Sequence, residues 1–319
     1  MNHRYAPWLP VLAAAVALCA CSEQPEDTEL LTPKQKYDKA IFLLKPNVEN
    51  AQSDLSGAMN LLTESANEGY LPAQLDLAGI YLFGNHDGSV KKDLDAAYSW
   101  YQRAVEQGSK DAPYYQGLIC LEKGDTASAE QLIRRAADYG MPEACYRLST
   151  LLFAAQQNEQ AMSYLRRAAN ESLPEAMFLL GQKLYQQQNS EAPQWFHRAA
   201  YSNQLGTRAK AAFALACINQ QGYINFEPNM EKAVEWYKMS ADAGYPQSQY
   251  IVGTMYITGQ CLPEDVQKGL AMLRLSAGQD YQPGIEAYIE ALRIHAADEN
   301  AVNEANAWEE RLNKLRRKQ

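Results

Sequence analysis

Few residues in this 319-residue chain are spaced for bond-making chemistry. The four histidines, His3, His86, His197 and His295, stand far apart, and none belongs to an H-E-x-x-H pair that would set two imidazoles on one helical face around zinc. No phosphate loop and no G-x-S-x-G elbow occurs. Ser89-Val90-Lys91-Lys92 spells S-x-x-K, a serine nucleophile with a lysine to activate it, but neither S-D-N nor K-T-G accompanies it and the stretch reads as a solvated loop. The expectation is a non-enzymatic protein without cofactor or metal. Recognition chemistry is better represented. Tyr114, Tyr146, Phe178 and Tyr250 recur, with Leu75, as one column of large side chains, and Tyr115, Arg147, Gln182, Tyr185 and Gln186 stand near them as more exposed contacts. Aromatic rings that reach a surface are good interface anchors.

The elements that must position these residues follow from a twelve-residue pattern that recurs seven times, starting at Ala58, Ala97, Ala129, Ala161, Ala192, Ala233 and Gly269. The starts are 39, 32, 32, 31, 41 and 36 residues apart, the period of a stacked helical hairpin. Columns 1, 4, 5, 8 and 9 of the pattern are apolar or small, the stripe of a buried helical face. Column 8 holds only Ala or Ser: Ser65, Ala104, Ala136, Ala168, Ala199, Ser240 and Ser276. Column 12 is Gly69, Gly108, Gly140 and Gly244, with Ser172, Asn203 and Asp280 elsewhere, which predicts a helix end in the left-handed conformation. Pro72, Pro142, Pro174 or Pro246 follows shortly, then a small residue where a new helix starts. That helix carries an apolar-small step at Leu77-Ala78, Leu148-Ser149, Leu180-Gly181, Phe213-Ala214 and Val252-Gly253. The fold class is therefore all-α, a solenoid of about seven antiparallel hairpins.

With these residues in place, the chain resembles the Sel1-like repeat family, long-looped relatives of tetratricopeptide repeats. The unit SQYIVGTMYITG from Ser248 to Gly259, with AVEWYKMSADAG before it, matches the family pattern apart from Ser248 and Val252. Gly84, Val90 and Asp93, and Gly259 with Asp265, occupy the family's long inter-helix loop, whereas Lys123 to Ala129, Ala154 to Ala161 and Gln186 to Ala192 are short links nearer tetratricopeptide length. The resemblance covers roughly Thr32 to Gly284 and implies a right-handed α-solenoid whose first helices line a concave binding face. It makes Tyr114, Tyr115, Tyr146, Arg147, Phe178, Gln182, Tyr185, Gln186 and Tyr250 concave-face candidates, although the aromatic column also serves packing in the family. Some relatives staple each hairpin with a disulfide, but Cys120, Cys145, Cys217 and Cys261 do not recur at such spacing. Four buried free thiols is the favoured reading; Cys217 and Cys261, which lie toward the same end of adjacent units, are the pair open to a bridge as the alternative.

Residues 1–20 read as a secretory signal, with Arg4 ahead of an apolar run from Trp8 to Ala20. Leu18-Cys19-Ala20-Cys21 resembles the bacterial lipobox, which implies cleavage before Cys21, a lipid on Cys21, and anchoring at the periplasmic side of the outer membrane. Residues 21–32 are acidic and polar, a flexible tether. Residues 33–297 form the repeat array, and 298–319 a capping helix with Trp308, Leu312 and Leu315 on its apolar side and Arg311, Lys314, Arg316, Arg317 and Lys318 around it. Arg4 is the only charged residue of the signal, so its removal moves the formal net charge from -9 to -10. An acidic body disfavours nucleic acid and anionic lipid as ligands, leaving the lipid anchor as the membrane contact.

What the resemblance implies about function is protein binding. Sel1-like lipoproteins of this size include immunity proteins that neutralise antibacterial toxins, phospholipase effectors among them, and that role is the first expectation. A scaffold for exopolysaccharide export or envelope assembly at the outer membrane is the alternative, and an enzyme of unrecognised type the remote one.

Overall fold

The computed structural model describes residues 31–44, 55–84, 89–295 and 299–317. Cys21, the signal and most of the tether lie outside them. The described residues hold sixteen α-helices and no strand, only an isolated bridge between Tyr223 and Phe226. The chain divides into two compact units, Met1–Tyr70 and Leu71–Gln319.

The first unit contains α1 (Pro33–Leu44) and α2 (Leu55–Asn67). A capping box starts α1: the Thr32 N–H donates to Gln35 Oε1 at 2.9 Å and the Gln35 N–H returns to Thr32 Oγ at 3.3 Å. Column 8 joins the pair, because Ser65 Oγ donates to the Pro33 carbonyl at 2.6 Å, and Lys36 bridges Glu64 and Glu68 across the same seam.

The second unit runs through six hairpins that contain repeat windows: α3 (Leu71–Phe83) with α4 (Leu94–Glu106), α5 (Ala112–Glu122) with α6 (Thr126–Asp138), α7 (Pro142–Ala154) with α8 (Asn158–Asn170), α9 (Pro174–Gln186) with α10 (Ala192–Ala200), α11 (Leu205–Gln221) with α12 (Met230–Asp242), and α13 (Pro246–Thr258) with α14 (Val266–Gly278). A last pair, α15 (Gln282–His295) and α16 (Glu299–Arg316), follows. Each helix packs on the next, and the first helices of neighbouring hairpins also meet, as α9 with α11 and α13 with α15. This is the all-α solenoid.

Its spacing is set by small residues. Column 8 (Ala104, Ala136, Ala168, Ala199, Ser240, Ser276) is fully buried, as are Ala112, Ala144, Ala176 and Ser248 at the start of the following first helices and Ala211 two turns into α11. The two positions touch: Ser248 Oγ donates to Ser240 Oγ at 2.7 Å, and Ser240 Oγ to the Ala209 carbonyl at 2.7 Å. The next unit uses Gly284, where an added Cβ would meet Ser276 Cβ at 2.8 Å. Between the contacts, left-handed turns reverse the chain at Gly108, Gly140, Ser172, Gly244 and Asp280. Asn203 is the exception and does not take positive φ. The first helices α7 and α9 end in the same way: Gln156 and Gln188 take positive φ, with Gln157 N–H donating to Leu152 O and Asn189 N–H to Leu184 O at 2.9 Å. The polar links thus hide Schellman turns made by glutamine. Successive second helices are stitched by column 7, where Arg167 Nη2 donates to the Ala137 carbonyl at 2.7 Å while its guanidinium lies over Tyr164.

The structure moves one step in the sequence reading. In α11 the buried apolar-small pair is Leu215-Ala216, with Phe213 and Ala214 half-buried. The Ala-rich run from Ala209 to Ala216 offers no bulky marker, so its register was two residues off. Phe213 consequently belongs to the column of Phe178. The apolar side of α16 buries Leu312, with Trp308 and Leu315 half-buried against the core. Arg311 and Arg316 there pair with Asp280 and Glu286.

Two sets of substitutions test this packing. Ser240→Ala leaves the buried Ser248 hydroxyl without its acceptor and is expected to cost about 1–2 kcal/mol in urea unfolding. The Ser240→Ala/Ser248→Ala double variant restores the Ala–Ala contact of Ala136 with Ala144 and recovers most of that loss; additive losses would show that the pair is not one contact. Gly117→Ala would set a Cβ 2.5 Å from Ile133 Cγ1. It should lower the melting temperature despite a helix-propensity gain of about 1 kcal/mol, whereas Gly278→Ala, with nothing within 4 Å, should raise it.

Candidate functional site

The helical repeat places Phe178, Gln182, Tyr185 and Gln186 on one face of α9, at the i, i+4, i+7, i+8 spacing. Lys210, Phe213, Ala214 and Cys217 form the matching face of α11. Together with Phe196 of α10, Ile218 and Tyr245 they line a cleft of about 580 Å³ within the second unit. Gly181 shapes its floor. Without a side chain there, the Phe196 ring seats against the α9 backbone, where an added Cβ would lie 2.8 Å from Phe196 Cδ1. Phe196 then touches Phe178 (ring centroids 5.8 Å apart) and Tyr185 (6.4 Å), and on the opposite wall Phe213 contacts Tyr245 at 5.0 Å and Tyr237 at 6.0 Å.

Tyr185 is held from outside the cleft. Its ring stacks on Tyr223 at 4.7 Å and 17°, and the Tyr223 hydroxyl donates to the Tyr185 and Asn189 carbonyls at 3.2 and 3.3 Å. Cys217 is half-buried, with Sγ 3.8 Å from the Tyr237 hydroxyl, which lies 2.6 Å from Gln220 Oε1 as donor. Burial pushes the Cys217 thiol up, so it stays protonated and acts as a small apolar wall rather than a nucleophile. Gln182, Gln186 and Lys210 are exposed and make no hydrogen bond or ion pair with the described residues. Among the described residues Lys210 is the only charged side chain lining the cleft. An apolar floor with three open polar groups at its edge suits capture of a side chain and its flanking backbone, and none of these groups is arranged to make or break a bond.

The other sequence candidates lie elsewhere. Tyr114 is half-buried; burial pushes its phenol up, and the Arg147 guanidinium beside it opposes that. Tyr115, read as more exposed, is instead half-buried and stacks on buried Tyr101 at 5.1 Å and 9°, with its phenol pushed up to about 12 by burial. One turn of α5 brings Tyr115 under α4 rather than toward solvent. Tyr146 is half-buried and Arg147 exposed on α7, and Tyr250 meets Tyr281 edge-on at 5.9 Å. The structure thus gathers Phe178, Gln182, Tyr185 and Gln186 and leaves Tyr114, Tyr115, Tyr146, Arg147 and Tyr250 outside the cleft. Sequence reading missed Phe213, Lys210 and Tyr245. Phe213 carried a usable signal, the position two residues beyond the small residue of the first-helix contact, once Ala211 is recognised as that residue.

The Cys217–Cys261 bridge is not formed: both are free, as are Cys120 and Cys145. Cys217 faces Tyr237 inside the fold, while Cys261 sits at positive φ in an exposed turn after α13. Of the four thiols only Cys120 and Cys145 are buried. At the S-x-x-K stretch, Lys92 Nζ is held by Glu122 at 2.5 Å. Among the described residues no cluster of three or more His, Cys, Asp or Glu side chains could hold a metal, and no helix is long and apolar enough to cross a membrane.

Comparison with known proteins agrees with this architecture. No curated protein sequence matches the chain. Among solved structures, a Sel1 repeat protein from Oxalobacter formigenes is 25% identical with a TM-score of 0.67, over 89% of this chain and 83% of its own. The c5321 protective antigen of uropathogenic Escherichia coli strains, which has an SLR fold, is 21% identical with a TM-score of 0.65 over 88% of this chain. This chain spans 61% of the length of that antigen. Immunity protein Pa5087 from Pseudomonas aeruginosa aligns more distantly, with 18% identity and a TM-score of 0.34 over 79% of this chain and 83% of its own. The Sel1 repeat model matches residues 71–109, 142–173, 174–203, 209–245 and 246–281, that is, five of the hairpins described above, leaving α1, α2, α5, α6, α15 and α16 unmatched. With more than half of its residues so matched, the chain belongs to the Sel1 repeat family.

Proposed function

We propose that this protein is a lipid-anchored binding module of the bacterial envelope that captures an enzyme entering the periplasm and silences it, an inhibitor of the immunity type. The observation that carries the reading is the aromatic cleft between α9 and α11, with Gln182, Gln186 and Lys210 unengaged at its edge. Sel1 repeats are protein-interaction modules, and such a cleft offers the buried aromatic anchors on which interface energy concentrates. Inhibition then needs no chemistry from this chain: a partner loop seated in the cleft covers or displaces the partner's own catalytic groups. The lipid proposed on Cys21 would keep the module at the periplasmic face of the outer membrane, where an incoming toxin meets its substrate.

The test is affinity capture with the purified Ser22–Gln319 fragment, followed by an assay of the recovered protein. A single stoichiometric hydrolase whose activity falls on mixing supports the inhibitor. Recovery of polymer-export components with no enzyme affected overturns it in favour of a scaffold. Tyr185→Ala, at a residue 38% exposed, is expected to weaken partner binding by about tenfold or more in the folded protein, while losing about 1 kcal/mol of stability with the Tyr223 stack. In cells, Cys21→Ser should release the protein from the membrane fraction; retention there would refute the lipid anchor.

A further inference from the structure

The charge and shape of the α9–α11 cleft narrow what it binds. Lys210, Phe213 and Cys217 follow one another along α11 over seven residues, a rise of about 10 Å, which is the length of about three extended residues. The middle of that path is apolar, walled by Phe178 and Phe213 over Phe196. One end carries the Lys210 ammonium, a donor with no acceptor among the described residues, and the other carries the Gln182 and Gln186 amides on α9. A cation at the end of an apolar slot calls for a carboxylate, and no acidic side chain lines the cleft among the described residues to compete for it.

We propose that the cleft takes an extended peptide segment of a partner protein in which an aromatic or large aliphatic side chain stands beside a carboxylate, Asp or Glu. The apolar side chain enters between Phe178 and Phe213, the carboxylate meets Lys210, and the Gln182 and Gln186 amides take the neighbouring backbone groups. This rests on the reading of the cleft as the partner site and names the chemistry it selects. The same edge would turn away a segment with lysine or arginine beside the anchor, through repulsion from Lys210.

The experiment titrates the Ser22–Gln319 protein into four fluorescein-labelled, N- and C-blocked peptides and reads fluorescence polarisation. The sequences are Ala-Ala-Phe-Asp-Ala, its Asp→Asn and Asp→Lys versions, and its Phe→Ala version. The Phe-Asp peptide should bind about fivefold more tightly than Phe-Asn, and more tightly still than Phe-Lys; the preference for Asp over Asn should vanish in Lys210→Gln. The Phe→Ala peptide, or the Phe213→Ala protein, should lose binding to every sequence. Phe213→Leu keeps the wall filled should Phe213→Ala not fold, and should retain the Asp preference. Equal affinity for the Asp, Asn and Lys peptides, an Asp preference that survives Lys210→Gln, or no binding of any peptide would overturn the proposal. Loss of captured-partner binding in Tyr185→Ala alongside indifference to the peptide charge would leave the cleft as the partner site and refute only the carboxylate.

Discussion

The close approach of helices at two small residues is the constraint on which the rest of this structure depends. Ala136 with Ala144, Ala168 with Ala176 and Ser240 with Ser248 stand eight residues apart, one ending a hairpin and the other opening the next. Any larger side chain at either position would part the helices, and parted helices leave voids that forfeit dispersion contacts over their whole length. The connection is bound by the same geometry. Eight residues between two helices at contact distance allow only a left-handed reversal, and Gly140 and Gly244 supply it at φ 95° and 92°. The Arg167 stitch to the Ala137 carbonyl is possible only because the second helices are brought within reach by this spacing.

Where the regularity lapses, the site appears. α10 has nine residues and α11 has seventeen, while most of the neighbouring helices have thirteen, and the link between them lacks the left-handed turn and the helix-starting proline of other units. Arg208 holds that link instead, its guanidinium donating twice to the Ser202 carbonyl at 3.0 and 2.7 Å. The cleft is lined by residues of α10 and α11 on either side of this irregular link, together with α9. A regular array already offers a concave face along its first helices, and the short α10 beside the long α11 sets the shape of this part of it.

The positions legible in the sequence were those where one residue type answers one physical demand. Ala or Ser in column 8 and Gly in column 12 could be read directly, because nothing else fits a helix contact or tolerates positive φ as well. Gln156 and Gln188 could not be read as left-handed, since glutamine carries no such preference and is held there by the Schellman hydrogen bonds of the folded chain. The α11 register failed for the opposite reason: in a run of alanines every position satisfies the demand for a small residue. Tyr115 shows a third limit. A tyrosine beside the aromatic column has no sequence mark that separates a surface ring from one stacked on Tyr101 in the preceding hairpin.

The rings of the cleft serve packing and recognition together, and for this fold those roles reinforce each other. Phe196 is fixed by Gly181, Phe213 by Tyr237 and Tyr245, and Tyr185 by the Tyr223 stack. A ring already immobilised by its neighbours loses little rotamer freedom when a partner covers its open face, so more of the burial energy is retained as affinity. The aromatic column therefore need not be assigned either to the core or to the surface. Half-burial is the state that gives a side chain both a fixed position and an open face, and Phe178 and Phe213, placed on facing helices by the repeat, occupy it.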